Sequence, residues 1–192
     1  MKAGDCFVED MALPGGAIDY LFWRVTAVDG DLCKTIVCVV RGDEFRVERV
    51  RSNVYDLEQL QSIPLSVFER VAALCRNTVT MAGTMILNAG RHTYEDVSLG
   101  NCYRRKSTRD IRIFRLAQDW QDTYLTDVIA WYPNRVSFIK DTIASRSLSF
   151  ESNGTPVPPE LFNKIEKTLQ VTLVAIRSIV QASEEPEIPL PF

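Results

Sequence analysis

The sequence lacks most of the residue patterns that catalytic and metal-binding proteins use. It has one histidine, His92, and its five cysteines include no Cys-x-x-Cys pair, so the usual ligand spacing of a zinc site is missing. The phosphate-binding motifs G-x-x-x-x-G-K-[ST] and G-x-G-x-x-G are absent, as is the Gly-x-Ser-x-Gly elbow. These absences disfavour nucleotide hydrolysis and serine-hydrolase chemistry on familiar folds. We therefore expect no metal, no cofactor and no catalytic residue.

Long apolar runs and repeats are also missing. No stretch approaches the ~20 apolar residues that span a bilayer, so we expect no membrane association. Residues 11–23 are interrupted by Pro14, Gly15 and Gly16, and they lack the basic start and continuous apolar centre of a signal peptide. An odd number of cysteines without an export signal argues against a disulfide framework. We expect a cytoplasmic protein, in the host cytoplasm if the gene is viral. No internal repeat is visible in the sequence.

Length and composition are those of an ordinary globular protein. The chain has 192 residues, of which 46% are hydrophobic and 24% charged, with a net charge of −3. This length suits one domain, or one domain with a small satellite. A chain of this size buries enough surface to fold without a metal or a disulfide.

The first 52 residues are predicted to form an N-terminal β module. Residues 4–9, 20–28, 32–40 and 44–50 are strand candidates, separated by turns such as Asp29-Gly30-Asp31. Consecutive antiparallel strands of this kind indicate a meander, or a small barrel if the sheet curls.

Residues 53–183 are predicted to form an α+β body with two long helices. Small and apolar residues from Leu65 to Ile86 recur at spacings of three and four, which predicts a helix near 64–89. Few charges remain between Thr78 and Leu87, so we expect this central helix to be buried nearly all round there. A stripe from Leu161 to Val180 predicts a C-terminal helix near 159–182. Residues 184–192 are expected to form an acidic, Pro-rich extended tail.

The middle of the chain, residues 91–150, is ambiguous. Residues 111–116, 124–132 and 135–140 read as strands, the last two joined by a turn at Pro133-Asn134. An alternative makes residues 109–124 a helix, because short apolar runs fit both periods. We favour the mostly-β interpretation, and with it the α+β fold class.

The strongest charge feature is a basic segment between residues 104 and 115. It holds six basic residues and one acid, Asp110, and it follows an aromatic residue that could stack on a base. Clustered guanidinium groups suit phosphate recognition because each is a planar donor fork that stays charged. The candidate binding residues are Tyr103, Arg104, Arg105, Lys106, Arg109, Arg112 and Arg115. The competing interpretation is a solvated strand face, or a basic patch that pairs with the acids Asp119, Asp122 and Asp127.

Two candidate catalytic sites are weaker. Cys102 and His92 could form a thiolate and imidazole pair with Glu95 or Asp96 as the third group, but no family motif surrounds them. Paired acids could bind Mg²⁺ as nuclease sites do, but no Asp/Glu-x-Lys core stands in a suitable strand. The acids are Glu95, Asp96, Asp119, Asp122 and Asp127.

The sequence therefore favours a non-catalytic protein that binds a macromolecule, either a protein or a nucleic acid. The contact would be made through the basic segment if the partner carries phosphate. One alternative is an enzyme with an unrecognised Cys/His or metal-dependent nuclease site. Another is a structural or assembly subunit that self-associates through a sheet edge or the C-terminal tail.

Overall fold

The computed structural model describes residues 1–12, 18–120, 123–145 and 154–184. The expected tail at 184–192 lies, beyond its first residue, outside this part of the chain. The described residues fall into two compact units. The first comprises residues 1–42, 46–76 and 171–184, and the second comprises the described residues of 43–45 and 77–170. The fold is mixed α+β, as the sequence predicts.

The first unit contains an antiparallel meander with a short fifth strand. Its strands are β1 (Cys6–Ala12), β2 (Ile18–Asp29), β3 (Leu32–Val40), β4 (Glu44–Asn53, from residue 46 in this unit) and β5 (Gln61–Ser62). The strand order is β4-β3-β2-β1-β5, with β5 antiparallel to β1. Since β4 and β5 are not neighbours, the sheet is open and the small barrel is not confirmed.

The described part of the chain contains three helices. The short α1 (Val54–Glu58) begins at Asn53, whose side chain accepts a hydrogen bond from the Tyr55 N–H and so caps the first turn. The long α2 (Leu65–Leu87) follows Pro64, and α3 (Pro159–Glu184) begins with a proline; proline suits a first helical turn because no N–H partner is needed there. Of the described helices, none is both long and apolar enough to cross a membrane.

The expectation that α2 is buried nearly all round between residues 78 and 87 is wrong. Val79, Ala82 and Ile86 are buried, but the side chain of Met81 is 49% exposed and Leu87 is also exposed. Thr84 lies on the same exposed side, and its hydroxyl donates a hydrogen bond to the Thr80 carbonyl of the same helix at 2.9 Å. One face of the helix is therefore core and the other is surface.

The second unit contains another antiparallel meander with a short fifth strand. Its strands are β6 (Cys102–Lys106), β7 (Ile111–Trp120), β8 (Thr123–Tyr132), β9 (Arg135–Ser145) and β10 (Thr155–Val157). The order is β9-β8-β7-β6-β10, with β10 antiparallel to β6. The described residues of 109–124 are thus not a helix: Ile111 and Ile113 are buried while Arg112 and Phe114 are half-buried, which is the alternation of a strand.

The two units repeat the same arrangement, which the sequence does not reveal. In each, four consecutive antiparallel strands are followed by a short strand that pairs with the first of them, and a long helix then begins. In each, the second strand carries a bulge near its end, at Val25/Ala27 in β2 and at Leu116/Gln118 in β7.

The first strands of the two units begin with the same hydrogen-bond pattern. In each unit the N–H of a glycine with positive φ donates to the carbonyl of a buried aliphatic residue. The N–H of that aliphatic residue donates in turn to the carbonyl of the residue that follows the glycine. The residues involved are Gly4, Asp5 and Val25 in the first unit and Gly100, Asn101 and Leu116 in the second. A buried cysteine comes next in both, Cys6 and Cys102, and its Sγ donates to the glycine carbonyl at 3.3 and 3.5 Å respectively.

The helix starts also match. A Pro-x-x-x-Phe segment opens each long helix, and the phenylalanine is buried in both cases. The segments are Pro64 to Phe68 and Pro158 to Phe162. In each unit the arginine opposite the buried cysteine contacts the residue that follows this phenylalanine. Arg24 lies 3.8 Å from the Glu69 carboxylate, and Arg115 donates to the Asn163 side chain at 3.0 Å. The residues at these positions of the two units can therefore be matched.

Candidate anion-binding groove

The basic segment folds into β6, a tight turn and β7. The antiparallel register places Arg105 directly opposite Arg112, so both side chains leave the same face of the sheet. Phe114, two residues further along β7, shares that face. Together with the turn and Tyr132 at the end of β8, these residues line an open cavity of about 440 Å³. We call it the β6–β7 groove.

The turn at the end of the groove is held by its own polar groups. The Ser107 hydroxyl oxygen accepts from the N–H groups of Arg109 and Asp110, each at 3.1 Å, and the Ser107 N–H donates to the Asp110 carbonyl at 2.9 Å. The same hydroxyl donates to the Asp110 carboxylate. This network fixes the backbone that carries Thr108 and Arg109 into the groove lining.

Asp110 is the one acid of the groove lining, and it is already engaged. Its buried carboxylate accepts from the Arg112 Nε at 2.6 Å. Burial by itself would raise the pKa of Asp110, but the hydrogen bonds from Ser107 and Arg112 outweigh it and lower the pKa. The carboxylate is thus charged at neutral pH and offsets one of the three guanidinium groups.

Arg105 and Arg109 keep their charges open to solvent. Both side chains are exposed, and neither takes part in an ion pair within the described residues. The groove lining therefore holds three guanidinium groups against one carboxylate. Two of these cations, together with the Thr108 hydroxyl, can meet an incoming oxyanion, because guanidinium groups bind phosphate oxygens through paired N–H donors.

Three other candidate residues have structural positions instead. The Tyr103 ring is only 2% exposed and packs 5.7 Å from Tyr94, so it cannot stack on a ligand at the surface. Arg104 donates to the carbonyls of Ile86, Leu87 and Ala89 at 2.9, 3.3 and 3.3 Å. These carbonyls lie at the end of α2, where helical partners run out.

Arg115 ties the sheet of the second unit to the start of α3. It donates to the Asp127 carboxylate from Nε and Nη2, at 3.1 and 2.5 Å, and to the Asn163 side chain. Its guanidinium also lies 4.2 Å from the centre of the Phe162 ring. Lys106 is exposed but is not part of the groove lining. Of the predicted residues, the structure brings together Arg105, Arg109 and Arg112.

The sequence interpretation missed Phe114, Tyr132 and the turn hydroxyls. Strand alternation could have found Phe114, since it shares a face with Arg112 once β7 is accepted as a strand. Tyr132 lies at the end of β8, and only the pairing of β8 with β7 brings it close to the arginines of the groove. Serine and threonine are common in turns, but the role of Ser107 in holding Asp110 depends on the folded backbone.

The alternative Cys102 nucleophile has an unsuitable environment. Its side chain is buried, and burial raises the pKa of the thiol to about 12, whereas a catalytic thiolate needs a lowered pKa. The His92 ring packs edge-on against the Tyr94 ring, with 4.6 Å between the ring centres. Among the described residues no cluster of three or more His, Cys, Asp or Glu side chains could hold a metal ion, and Asp122 lies outside them.

Comparison of the chain with protein-family models, with curated protein sequences and with solved structures finds no significant match.

Proposed function

We propose that the protein is a non-catalytic binding protein that takes phosphate groups of single-stranded nucleic acid in the β6–β7 groove. The exposed guanidinium groups of Arg105 and Arg109 contact phosphate, while Arg112 remains paired with the Asp110 carboxylate beside them. Such contacts release counterions from the nucleic acid, and this release supplies most of the affinity of sequence-independent binding.

The observation that carries the proposal is the comparison between the two units. Counting from the matched cysteines, Cys6 and Cys102, the residues at Arg105 and Lys106 correspond to Glu9 and Asp10 in the first unit. The matching strand folds with two acids in one unit and with two basic residues in the other. The fold thus does not require basic residues there, which supports a role for them in binding.

The aromatic lining favours a single strand over a duplex. Phe114 and Tyr132 are half-buried and border the groove beside the arginines. The Arg135 guanidinium lies 4.3 Å from the centre of the Tyr132 ring and steadies it. Bases of a single strand can stack on such rings, whereas the bases of a duplex are already stacked on one another.

The test is fluorescence anisotropy with labelled single-stranded and duplex oligonucleotides, titrated from about 50 to 200 mM salt. The test variant is Arg105→Glu with Arg109→Glu. Arg104 and Arg115 are left intact because their loss would disturb α2 and α3. The control variant is Lys164→Glu with Lys167→Glu, which makes the same charge change at exposed positions of α3.

We expect the wild type and the lysine control to bind single strands more tightly than duplex, with affinity falling as salt rises. The groove variant should lose about tenfold or more in affinity, since charged hydrogen bonds contribute about 1.5–3 kcal/mol each. No binding by the wild type at the lowest salt, or equal loss in the two variants, would refute the proposal.

A further inference from the structure

A second basic cavity lies in the first unit, across β2, β3 and β4. Its volume is about 480 Å³. Three basic side chains line it, Lys34 on β3 and Arg49 and Arg51 on β4, and its lining contains no acidic residue. We call it the β3–β4 groove.

The three cations are open to solvent, and Arg51 also lines a neighbouring cavity that includes Glu9 and Asp56. All three side chains are exposed, and in the described part of the chain none takes part in an ion pair. On the same strand, by contrast, Arg46 lies 3.2 Å from the Glu48 carboxylate. Like charges held side by side on adjacent strands repel one another. An anion between them would remove that repulsion.

Paired strands fix the backbone from which these side chains project. Arg49 and Arg51 are two residues apart on one strand and so share a face. The Thr35 hydroxyl donates to the Val50 carbonyl at 3.3 Å and ties β3 to β4 between the cations. The Thr26 hydroxyl donates to the Lys34 carbonyl at 3.0 Å, next to the bulge in β2. The backbone of the site is therefore fixed by paired strands, and binding a ligand needs only its three exposed side chains to become ordered.

Comparison with the second unit indicates that the fold does not demand this charge. Val25 pairs with Thr35 in the first unit, and its match Leu116 pairs with Thr126 in the second; both threonines are buried. The residue before the threonine is Lys34 in one case and Leu125 in the other. A lysine at this position is thus specific to the first unit.

We propose that the β3–β4 groove is a second anion-binding site, which takes a phosphate group between Lys34, Arg49 and Arg51. Two guanidinium forks and one ammonium group match the several oxygens of a phosphate or pyrophosphate. The phosphate is either free or part of a nucleic-acid backbone. This site does not depend on the proposed function of the β6–β7 groove.

The test is an NMR titration of the ¹⁵N-labelled full chain at low salt, with inorganic pyrophosphate in one arm and a short single-stranded oligonucleotide in the other. Pyrophosphate should produce saturable amide shifts at residues 34–36 and 49–51. Arg49→Gln with Arg51→Gln should weaken this binding by about tenfold or more, whereas Arg70→Gln with Arg76→Gln, an equal charge change on exposed α2 positions, should leave it unchanged.

The two arms identify the source of the phosphate. Shifts with pyrophosphate alone support a free phosphate ligand, and shifts in both arms support a site that also accepts a nucleic-acid backbone. The Arg105→Glu/Arg109→Glu variant should keep the pyrophosphate shifts at 34–36 and 49–51, which separates this site from the β6–β7 groove. No saturable shifts with pyrophosphate, or shifts that persist unchanged in the Arg49/Arg51 variant, would overturn the proposal.

Discussion

Gly83 of α2 provides a sharp test of how helix and sheet pack in the second unit. A Cβ atom built on Gly83 would lie 2.4 Å from Cε2 of Trp131 and 2.6 Å from its Cζ2 and Nε1. The indole cannot simply swing away, because its N–H donates to the Val79 carbonyl at 2.9 Å. Gly83→Ala must therefore displace the ring or the helix.

The expected cost follows from three opposing contributions. Alanine in place of glycine favours the helix by about 1 kcal/mol. Overpacking of a close contact costs about 1–3 kcal/mol, and loss of the indole hydrogen bond costs about 1 kcal/mol more. We expect Gly83→Ala to lower the free energy of unfolding by about 1–3 kcal/mol.

The assay is urea unfolding followed by far-UV circular dichroism. Gly90→Ala is the matched control, because a Cβ there meets no atom within 4 Å, and it should leave the unfolding midpoint nearly unchanged. A second variant that adds Trp131→Leu to Gly83→Ala should recover part of the loss, since the smaller side chain relieves the contact. If Gly83→Ala is as stable as the wild type, the close packing of α2 on Trp131 is refuted.

Three further predictions concern groups that the fold, rather than ligand binding, requires. Arg115→Met should cost about 1.5–3 kcal/mol in urea unfolding, because it leaves the Asp127 carboxylate without its charged donor; a loss below about 0.5 kcal/mol would contradict this. Arg104→Met should lower the melting temperature because the last carbonyls of α2 lose their donor, whereas Arg105→Met should not, and equal effects would argue against the distinction. The pKa of the thiols of Cys6 and Cys102 is raised from 9.0 to about 11 and about 12 by burial. The folded state therefore keeps these protons where the unfolded state loses them, so the contribution of the two thiols to the free energy of unfolding should be constant below about pH 8, and stability should fall as pH rises from 9 towards 11. Unfolding at pH 8, 9 and 10 checks this, and constant stability over that range would contradict it.

The α+β class and the two long helices could be predicted because their signals are local. Apolar spacings of three and four are visible in any single stretch of chain, and prolines mark both helix starts. The outer face of α2 was misjudged because threonine and methionine are compatible with both core and surface, so only the sheet that covers the helix decides which side is buried.

The repeat was invisible because few positions retain the same residue. The matched hydrogen bonds of Gly4 and Gly100 are made by the backbone, so the residues after them are free to differ. Val-Glu-Asp in one unit corresponds to Arg-Arg-Lys in the other. Pairing of strands that are distant in sequence, which defines the repeat, leaves no periodic signal in the sequence.

The sequence predicts the basic segment, but it does not predict which of its arginines bind other parts of the fold and which remain exposed. Three arginines of one short segment have different surroundings. Arg104 binds the end of a helix, Arg105 lines the open groove, and Arg115 forms an ion pair. Strand alternation separates Arg104 from Arg105, but the partners that engage Arg104 and Arg115 come from distant elements. The sequence indicates Asp127 as one acid that could pair with this segment, but only the sheet register shows that its partner is Arg115.

The salt dependence of binding tests the central claim most directly. For single strands, the slope of log K against log salt changes by about 0.7 for each phosphate contact. Arg105→Gln and Arg109→Gln should therefore each make the slope less steep by about 0.7, and the double variant by about 1.4, while Lys164→Gln should leave it unchanged. Slopes that are the same in the wild type and the arginine variants would contradict the account, because the groove would then make no contact with phosphate.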